Sequence, residues 1–231
     1  MNRSQTSGLS VPEAVQDVVR QPTSVTRAKR EAAQEHRGVV VWITGRPGSG
    51  KSTLADATER QLYALGLRTV LLDGDNLRLG LCSDLGFSED DRNENVRRAA
   101  ETAKLFMDCG IVVLVALVSP IRQTREQIKK LFKTGDFFEI FCCCPPSLCE
   151  DRDPKGHYAR ARRGEIKEFT GVSSQYEEPL YPALRLETGK QTAKESTRLL
   201  TNFILSRCVH SPEVIAERLT LLAGKARSAD S

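Results

Sequence analysis

Short apolar runs alternate with helical patterns along the chain, the order expected of a parallel sheet covered by helices on both faces. The runs predict strands over Val39–Ile43, Thr69–Leu72, Ile111–Val118, Phe137–Cys142 and a short Leu184–Leu186. The strongest helix is Glu89–Cys109. Ser88 caps it, Asp91 stands three residues on, and Val96, Ala99, Ala100, Ala103, Phe106 and Met107 form its apolar stripe before Gly110. Another helix follows the first strand, with Leu54, Thr58, Leu62 and Leu65 at helical spacing and Gly66 at the capping position. Further helices are expected over Gln123–Phe132, Ser147–Asp151, Ala193–Ser206 and, after Ser211-Pro212, Glu213–Leu222.

Two segments break this alternation. Between the first strand and its helix lies Gly45-Arg46-Pro47-Gly48-Ser49-Gly50-Lys51-Ser52, followed by Thr53. Glycines at this spacing let backbone N–H groups turn inward around phosphate oxygens. Lys51 adds a mobile positive charge, and the Ser52 hydroxyl is suited to Mg²⁺. A glycine-rich turn with a surface lysine is the alternative, but it does not need Lys51 and Ser52 in that order. The chain is therefore expected to handle a nucleoside triphosphate on a P-loop NTPase-type α/β fold. The second segment, Asp153–Glu178, is rich in Arg, Lys, Gly and Tyr and has no sustained apolar face. It reads as a mobile basic lid whose Lys155, Arg160, Arg162, Arg163 and Lys167 close over phosphates, or else as a solvated basic loop.

Phosphoryl transfer also needs a held metal ion and a group at the attacking hydroxyl. Asp73-Gly74-Asp75-Asn76 follows the second strand at the edge where ligands bind in open α/β sheets. Asp75 is the better catalytic candidate and Asp73 orients it or the metal. An Asx turn closing the strand is the competing reading.

Composition adds limits. The 231 residues fit one compact domain, here read as an N-terminal extension (1–37), a P-loop kinase domain (38–208) and a C-terminal helix and tail (209–231). A net charge of +4, from 34 basic and 30 acidic residues, gives little support to bulk nucleic-acid binding. Met1–Arg30 lacks the continuous apolar core of a signal peptide, and no run reaches membrane-spanning length. Seven cysteines, three of them adjacent at Cys142-Cys143-Cys144, suit neither a disulfide framework nor paired zinc knuckles, so a reducing cytoplasm is expected. Strand alternation points Cys142 and Cys144 to one sheet face and Cys143 to the other, as small buried apolar residues.

The phosphate loop, "LDGDNLRLGL", "LGFSEDDRNENVRR", "LVSPIR", "RDPKGHYARARRGEIKEFTG" and "YEEP" together resemble adenylylsulfate kinase, in this order, from Gly38 to about Ser206. That family transfers the γ-phosphate of ATP to the 3′-hydroxyl of adenosine 5′-phosphosulfate. The resemblance implies that Gly45 to Thr53 hold ATP and that Ser52, Asp73 and Asp75 serve Mg²⁺. It places Asp75, Arg78, Arg92, Asn95, Lys155, Glu168 and the backbone near Val118 and Ser119 at the acceptor, with Phe87 and Phe169 sandwiching its adenine. The ring of Phe169 sits in a polar lid, which favours stacking over core packing; Phe87 is evenly balanced. Lys51, Asp75 and Ser119 are the catalytic candidates. Ser119 matches a serine described as phosphorylated in the bacterial family, but no histidine lies near it in sequence, which favours direct transfer with Ser119 positioning substrate. Family resemblance further implies a homodimer and a separate ATP sulfurylase, since 231 residues leave no room for a sulfurylase domain. Arg46-Pro47 stands where Leu-Ser is usual, Leu79 where His is common, and Ser173 where Asp is expected. Pro47 removes one N–H from the loop and Arg46 is expected to add charge near the phosphates.

Overall fold

The computed structural model describes residues 21–209 and, beyond them, Ser211, Glu213, Val214, Ala216 and Thr220. The expected N-terminal extension to Arg20 and most of the expected helix Glu213–Leu222 lie outside the described residues. Five parallel strands, β1 (Val39–Thr44), β2 (Thr69–Asp73), β3 (Val112–Ala116), β4 (Phe137–Cys142) and β5 (Leu184–Leu186), form one sheet in the order β2-β3-β1-β4-β5. Every residue of β1 and β3 is buried. That is why these strands read as unbroken apolar runs, since a parallel sheet is covered on both faces.

Alternation along the strands divides the core. Val39, Val41 and Ile43 of β1 and Leu114 of β3 pack with Leu54 and Leu62 of α2 (Lys51–Ala64) and with Leu200 and Ile204 of α8 (Ala193–Cys208). Val40, Trp42, Val113 and Val115 face the other way. They meet Val96, Ala99, Ala103 and Met107 of α4 (Glu89–Asp108) and Ile128 of α5 (Arg122–Lys129). Strands β1 and β3 are neighbours whose following helices lie on opposite faces, so a crevice opens at their carboxyl ends, the usual ligand site of such sheets.

The expected strand Ile111–Val118 is shorter, because β3 ends where its neighbour β2 ends, at the Asp73–Ala116 pair. Besides a five-residue turn of helix at Gly74–Arg78, two helices were not expected from the pattern. One is α1 (Arg27–Gln34), which buries no side chain. Thr26 caps it, and Arg27 donates to both carboxylate oxygens of Asp136 at 2.6 and 2.8 Å. The other is α7 (His157–Arg162), inside the segment expected to be a lid without an apolar face. Tyr158, Ala161 and Phe169 of that segment form a small core with Cys144 and with Cys149 of α6 (Pro146–Arg152). Among the described residues, no helix is long and apolar enough to cross a membrane.

Candidate active site

The loop after β1 turns on glycines at the two places where nothing else fits. Gly48 has φ +75°, and a Cβ there would stand 2.4 Å from the Cys149 carbonyl oxygen. Gly50 has φ +91° and caps α2, aiming that helix N-terminus into the crevice. Lys51, the first residue of α2, is buried and its ammonium donates to the Arg46 carbonyl at 2.8 Å. Burial pushes its pKa down to about 8 from the ordinary 10.5.

Facing this loop is the end of β2. Asp73 accepts from the Ser52 hydroxyl at 2.6 Å through one oxygen and from the Asp75 N–H at 3.0 Å through the other. The second bond caps the five-residue helix α3 (Gly74–Arg78), so the turn-closing role of Asp73 and its place beside Ser52 coexist. The carboxylate of Asp75 pairs with the Lys155 ammonium, which reaches over from the lid, and this pairing raises the Lys155 pKa.

Both pieces open into one cavity of about 1270 Å³. Of the residues expected at the site, all line it except Gly45 and Arg46. Asn95 is buried in its wall with an amide nitrogen that has no hydrogen-bond partner, and the buried Ser49 hydroxyl also lacks one. Unpaired buried donors are costly, so both wait for an acceptor that the protein does not supply. Arg92 binds the two rims together. It donates to the Phe87 carbonyl at 2.8 Å, to the Thr170 hydroxyl at 2.7 Å, and to the Glu168 carbonyl. Burial, helped by the neighbouring Arg78, lowers the Arg92 pKa. Arg78 itself lies over one face of Phe87 at 4.4 Å from the ring centre, leaving that ring 61% exposed.

Residues 37–187 match the family described as adenylylsulphate kinase. The chain belongs to the adenylylsulphate kinase family. It is 54% identical over 173 residues to the adenylyl-sulfate kinase of Prochlorococcus marinus, covering 75% of this chain and 86% of that one. Identity to the Marinobacter nauticus adenylyl-sulfate kinase is 50% over 183 residues, covering 79% and 92%. Among solved structures, the Mycobacterium tuberculosis APS kinase CysC in complex with AMPPNP and APS superposes with a TM-score of 0.70 at 47% identity. That match covers 73% of this chain and 98% of that one.

Several expectations for this adenylylsulphate kinase family member need correction. The Arg46 guanidinium does not join the phosphate mouth. It turns to the Tyr176 ring, 5.2 Å from its centre, and to Glu178 at 3.9 Å. Arg162 and Arg163 also point elsewhere, paired with Glu150 at 2.9 Å and Glu165 at 2.5 Å, which leaves Lys155, Arg160 and Lys167 as the cationic lid residues on the cavity. Phe169 is only 9% exposed and meets Tyr158 edge-on at 5.0 Å, so most of the ring is lid core and one edge borders the cavity. The Ser119 hydroxyl is buried among protein partners, accepting from Trp42 Nε1 at 3.0 Å and donating to Thr44 at 3.1 Å. Ser119 nonetheless lines the cavity.

The cysteine expectation holds in part: β4 ends at Cys142, Cys142 and Cys144 are buried but in separate clusters, and Cys143 is partly exposed with its sulfur 2.8 Å from an Arg185 nitrogen. Burial pushes the Cys142 thiol up to about 12. Among the described residues no group of His, Cys, Asp and Glu forms a metal cluster. Sequence reasoning missed one end of the cavity, where Arg152, Thr188, Gln191 and Ser196 line the wall. These polar residues carry no spacing signal because they come from α6, α8 and the loop after β5.

Proposed function

We propose that this chain transfers the γ-phosphate of ATP to the 3′-hydroxyl of adenosine 5′-phosphosulfate, releasing ADP. One observation carries the reading. A single cavity joins the phosphate loop to a second half bounded by Asp75, Arg78, Phe87 and Asn95, so donor and acceptor fit side by side. The ternary complex named for the M. tuberculosis relative, which holds AMPPNP and APS together, supports the same arrangement.

The loop N–H groups and the α2 N-terminus bind the donor phosphates, and the Lys51 ammonium leaves the Arg46 carbonyl to follow the migrating phosphoryl group. Ser52 and Asp73 fit a Mg²⁺ ion, because a hydroxyl and a carboxylate already meet at 2.6 Å beside the loop. When bound, the metal neutralises charge on the phosphates. Asp75 orients the acceptor hydroxyl or takes its proton, while Lys155 passes from Asp75 to the anionic acceptor. Asn95 and Arg78 hold the acceptor's polar groups, and the free face of Phe87 stacks on its adenine. With the Ser119 hydroxyl occupied by Trp42 and Thr44, transfer is direct and in line. The seven cysteines, all free, support a cytoplasmic setting. A homodimer supplied by a separate ATP sulfurylase is carried by the family resemblance.

The test is coupled ADP release with adenosine 5′-phosphosulfate, against adenosine monophosphate and small alcohols. Release that depends on the phosphosulfate supports the reading. Equal release with adenosine monophosphate would assign another acceptor, and nucleotide binding with no acceptor-dependent release would mark a switch or binding module.

A further inference from the structure

Arg125 is a charge where the sequence pattern offers no reason for one. It lies on α5, and its side chain is 1% exposed, among the largest wholly buried side chains of the described residues. Taking a guanidinium out of water is costly unless it is paired and hydrogen-bonded, and here each of its three nitrogens has a partner. It donates to Glu139 of β4 at 2.7 Å, to the Ser119 carbonyl at 2.6 Å and to the Glu177 carbonyl at 2.6 Å. The Tyr176 ring lies beneath it, 5.7 Å from ring centre to guanidinium carbon.

Two of those acceptors belong to segments that frame the cavity. Val118, Ser119 and Pro120 line it, and Ser119 has φ +38°, a conformation that non-glycine residues adopt only where their surroundings enforce it. The enforcement is visible. Trp42 and Thr44 hold the Ser119 hydroxyl, Thr44 donates to the Val118 carbonyl at 2.7 Å, and Arg125 holds the Ser119 carbonyl. Glu177 is where the lid segment returns to the sheet. Its N–H donates to the Pro120 carbonyl at 3.0 Å, and its carboxylate accepts from the Arg122 N–H at 2.7 Å. Tyr176 completes the anchor. Its hydroxyl lies 3.0 Å from that of Thr44, and since Thr44 spends its one proton on Val118, Tyr176 is the donor.

We propose that Arg125 is a positioning residue for the acceptor half of the site: its guanidinium locks the Val118–Ser119–Pro120 turn and the returning end of the lid into one rigid floor. Arg125 does not line the cavity, so it acts through those carbonyls and not by touching a nucleotide. The inference rests on the reading of that turn as the acceptor's floor. The phosphate loop has its own supports in the Gly50 turn, the Lys51–Arg46 contact and α2, and meets the Arg125 network only at its edge, through Thr44 and the Arg46 side chain over Tyr176, so donor binding should depend on Arg125 far less than acceptor binding does.

Lysine keeps the charge beside Glu139 but lacks the planar fork that reaches two carbonyls at once. In the full chain, Arg125→Lys should raise KM for adenosine 5′-phosphosulfate by about tenfold or more, the scale expected when a misplaced floor disturbs substrate alignment. KM for ATP should stay within about twofold. A packing role alone would move both constants together or neither. Arg125→Ala should show a larger loss that ethylguanidinium in the buffer partly restores, with the acceptor KM falling back while the ATP KM stays put. Should the alanine variant fail to fold, Glu139→Gln takes its place, since it keeps an acceptor oxygen for Arg125 and should shift the acceptor KM in the same direction by less. Equal shifts for both substrates, or an unmoved acceptor KM in folded Arg125→Lys, overturn the inference and leave the kinase reading intact. A wild-type protein with no activity on adenosine 5′-phosphosulfate overturns both.

Discussion

Truncating Phe87 and Phe169 one at a time should separate a ligand-stacking ring from a lid-core ring. A phenylalanine side chain presents roughly 200 Å², and at 61% exposure about 120 Å² of Phe87 is open to a ligand. That figure already excludes the face under Arg78, and an adenine laid on the free face covers about half of what remains, the ring edges staying open. At about 25 cal/mol per Å² this amounts to about 1.5 kcal/mol, or roughly a tenfold loss of acceptor affinity in Phe87→Ala. That figure falls inside the range of about 1–3 kcal/mol measured for stacking on single bases. The melting temperature of Phe87→Ala should barely change, because the ring supports little of the fold. Phe169, at 9% exposure, should behave in the opposite way. Its loss leaves a hole between Tyr158, Cys149 and Ala161 worth about 3–5 kcal/mol, which in a domain of this size lowers the melting temperature by roughly 6 °C or more. Calorimetric titration of adenosine 5′-phosphosulfate in the presence of a non-hydrolysable ATP analogue, beside thermal melts, reads both quantities. The reasoning is refuted if Phe87→Ala melts as early as Phe169→Ala, or if it weakens donor and acceptor binding equally.

Asp75→Asn should lower kcat at least a hundredfold while leaving nucleotide affinities within a few fold, since general-base contributions run to about 10²–10⁴; unchanged turnover would reduce Asp75 to a turn residue. Ser119→Ala should keep substantial turnover and transfer chirally labelled phosphate with inversion, while the orphaned Trp42 N–H costs about 1–3 kcal/mol of stability; retention of configuration would establish a two-step enzyme. The buried Lys51 has a folded pKa of about 8, below its ordinary 10.5, so between these values the unfolded chain binds the extra proton and stability rises with pH. Phosphate binding has the opposite sign because it needs the ammonium: ATP affinity should fall as pH rises through 8, by up to about tenfold per unit, and an affinity flat from pH 7 to 10 by titration would contradict the assigned burial.

What could be read from the sequence and what could not follow a physical division. The strands were legible because both faces of a parallel sheet are covered, which leaves runs such as Val39–Ile43 without a polar residue. The phosphate loop was legible because its conformation demands glycine at Gly48 and Gly50, whatever the rest of the chain does. Helix α1 was hidden because it has no apolar stripe and is held by an ion pair between Arg27 and Asp136, 109 residues apart. The lid core was hidden for a related reason: Cys149, Tyr158 and Phe169 come from three local segments, each too polar to announce a core alone. Arg46 misled because its place in the phosphate loop suggests a charge near the phosphates, but only the fold places Tyr176 and Glu178 within its reach.

The site itself follows from strand order, which no local pattern contains. The chain passes from β1 to β2 at the sheet edge and returns with β3 between them, so the loop carrying Lys51 and the turn carrying Ser119 emerge side by side although 68 residues separate them. Their helices then leave on opposite faces, with α2 against the Val41 side and α5 against the Trp42 side. On the proposed reading, a donor bound at the α2 N-terminus would meet an acceptor resting on the turn that Arg125 of α5 holds through the Ser119 carbonyl. The buried network of Trp42, Thr44, Ser119, Tyr176 and Arg125 ties the end of β1 to the turn after β3 and to the returning lid. Hydrogen-bonded polar networks of this kind specify one arrangement more sharply than apolar packing does. In-line transfer depends on such fixed geometry, because the phosphoryl group must cross from one half to the other along a single direction.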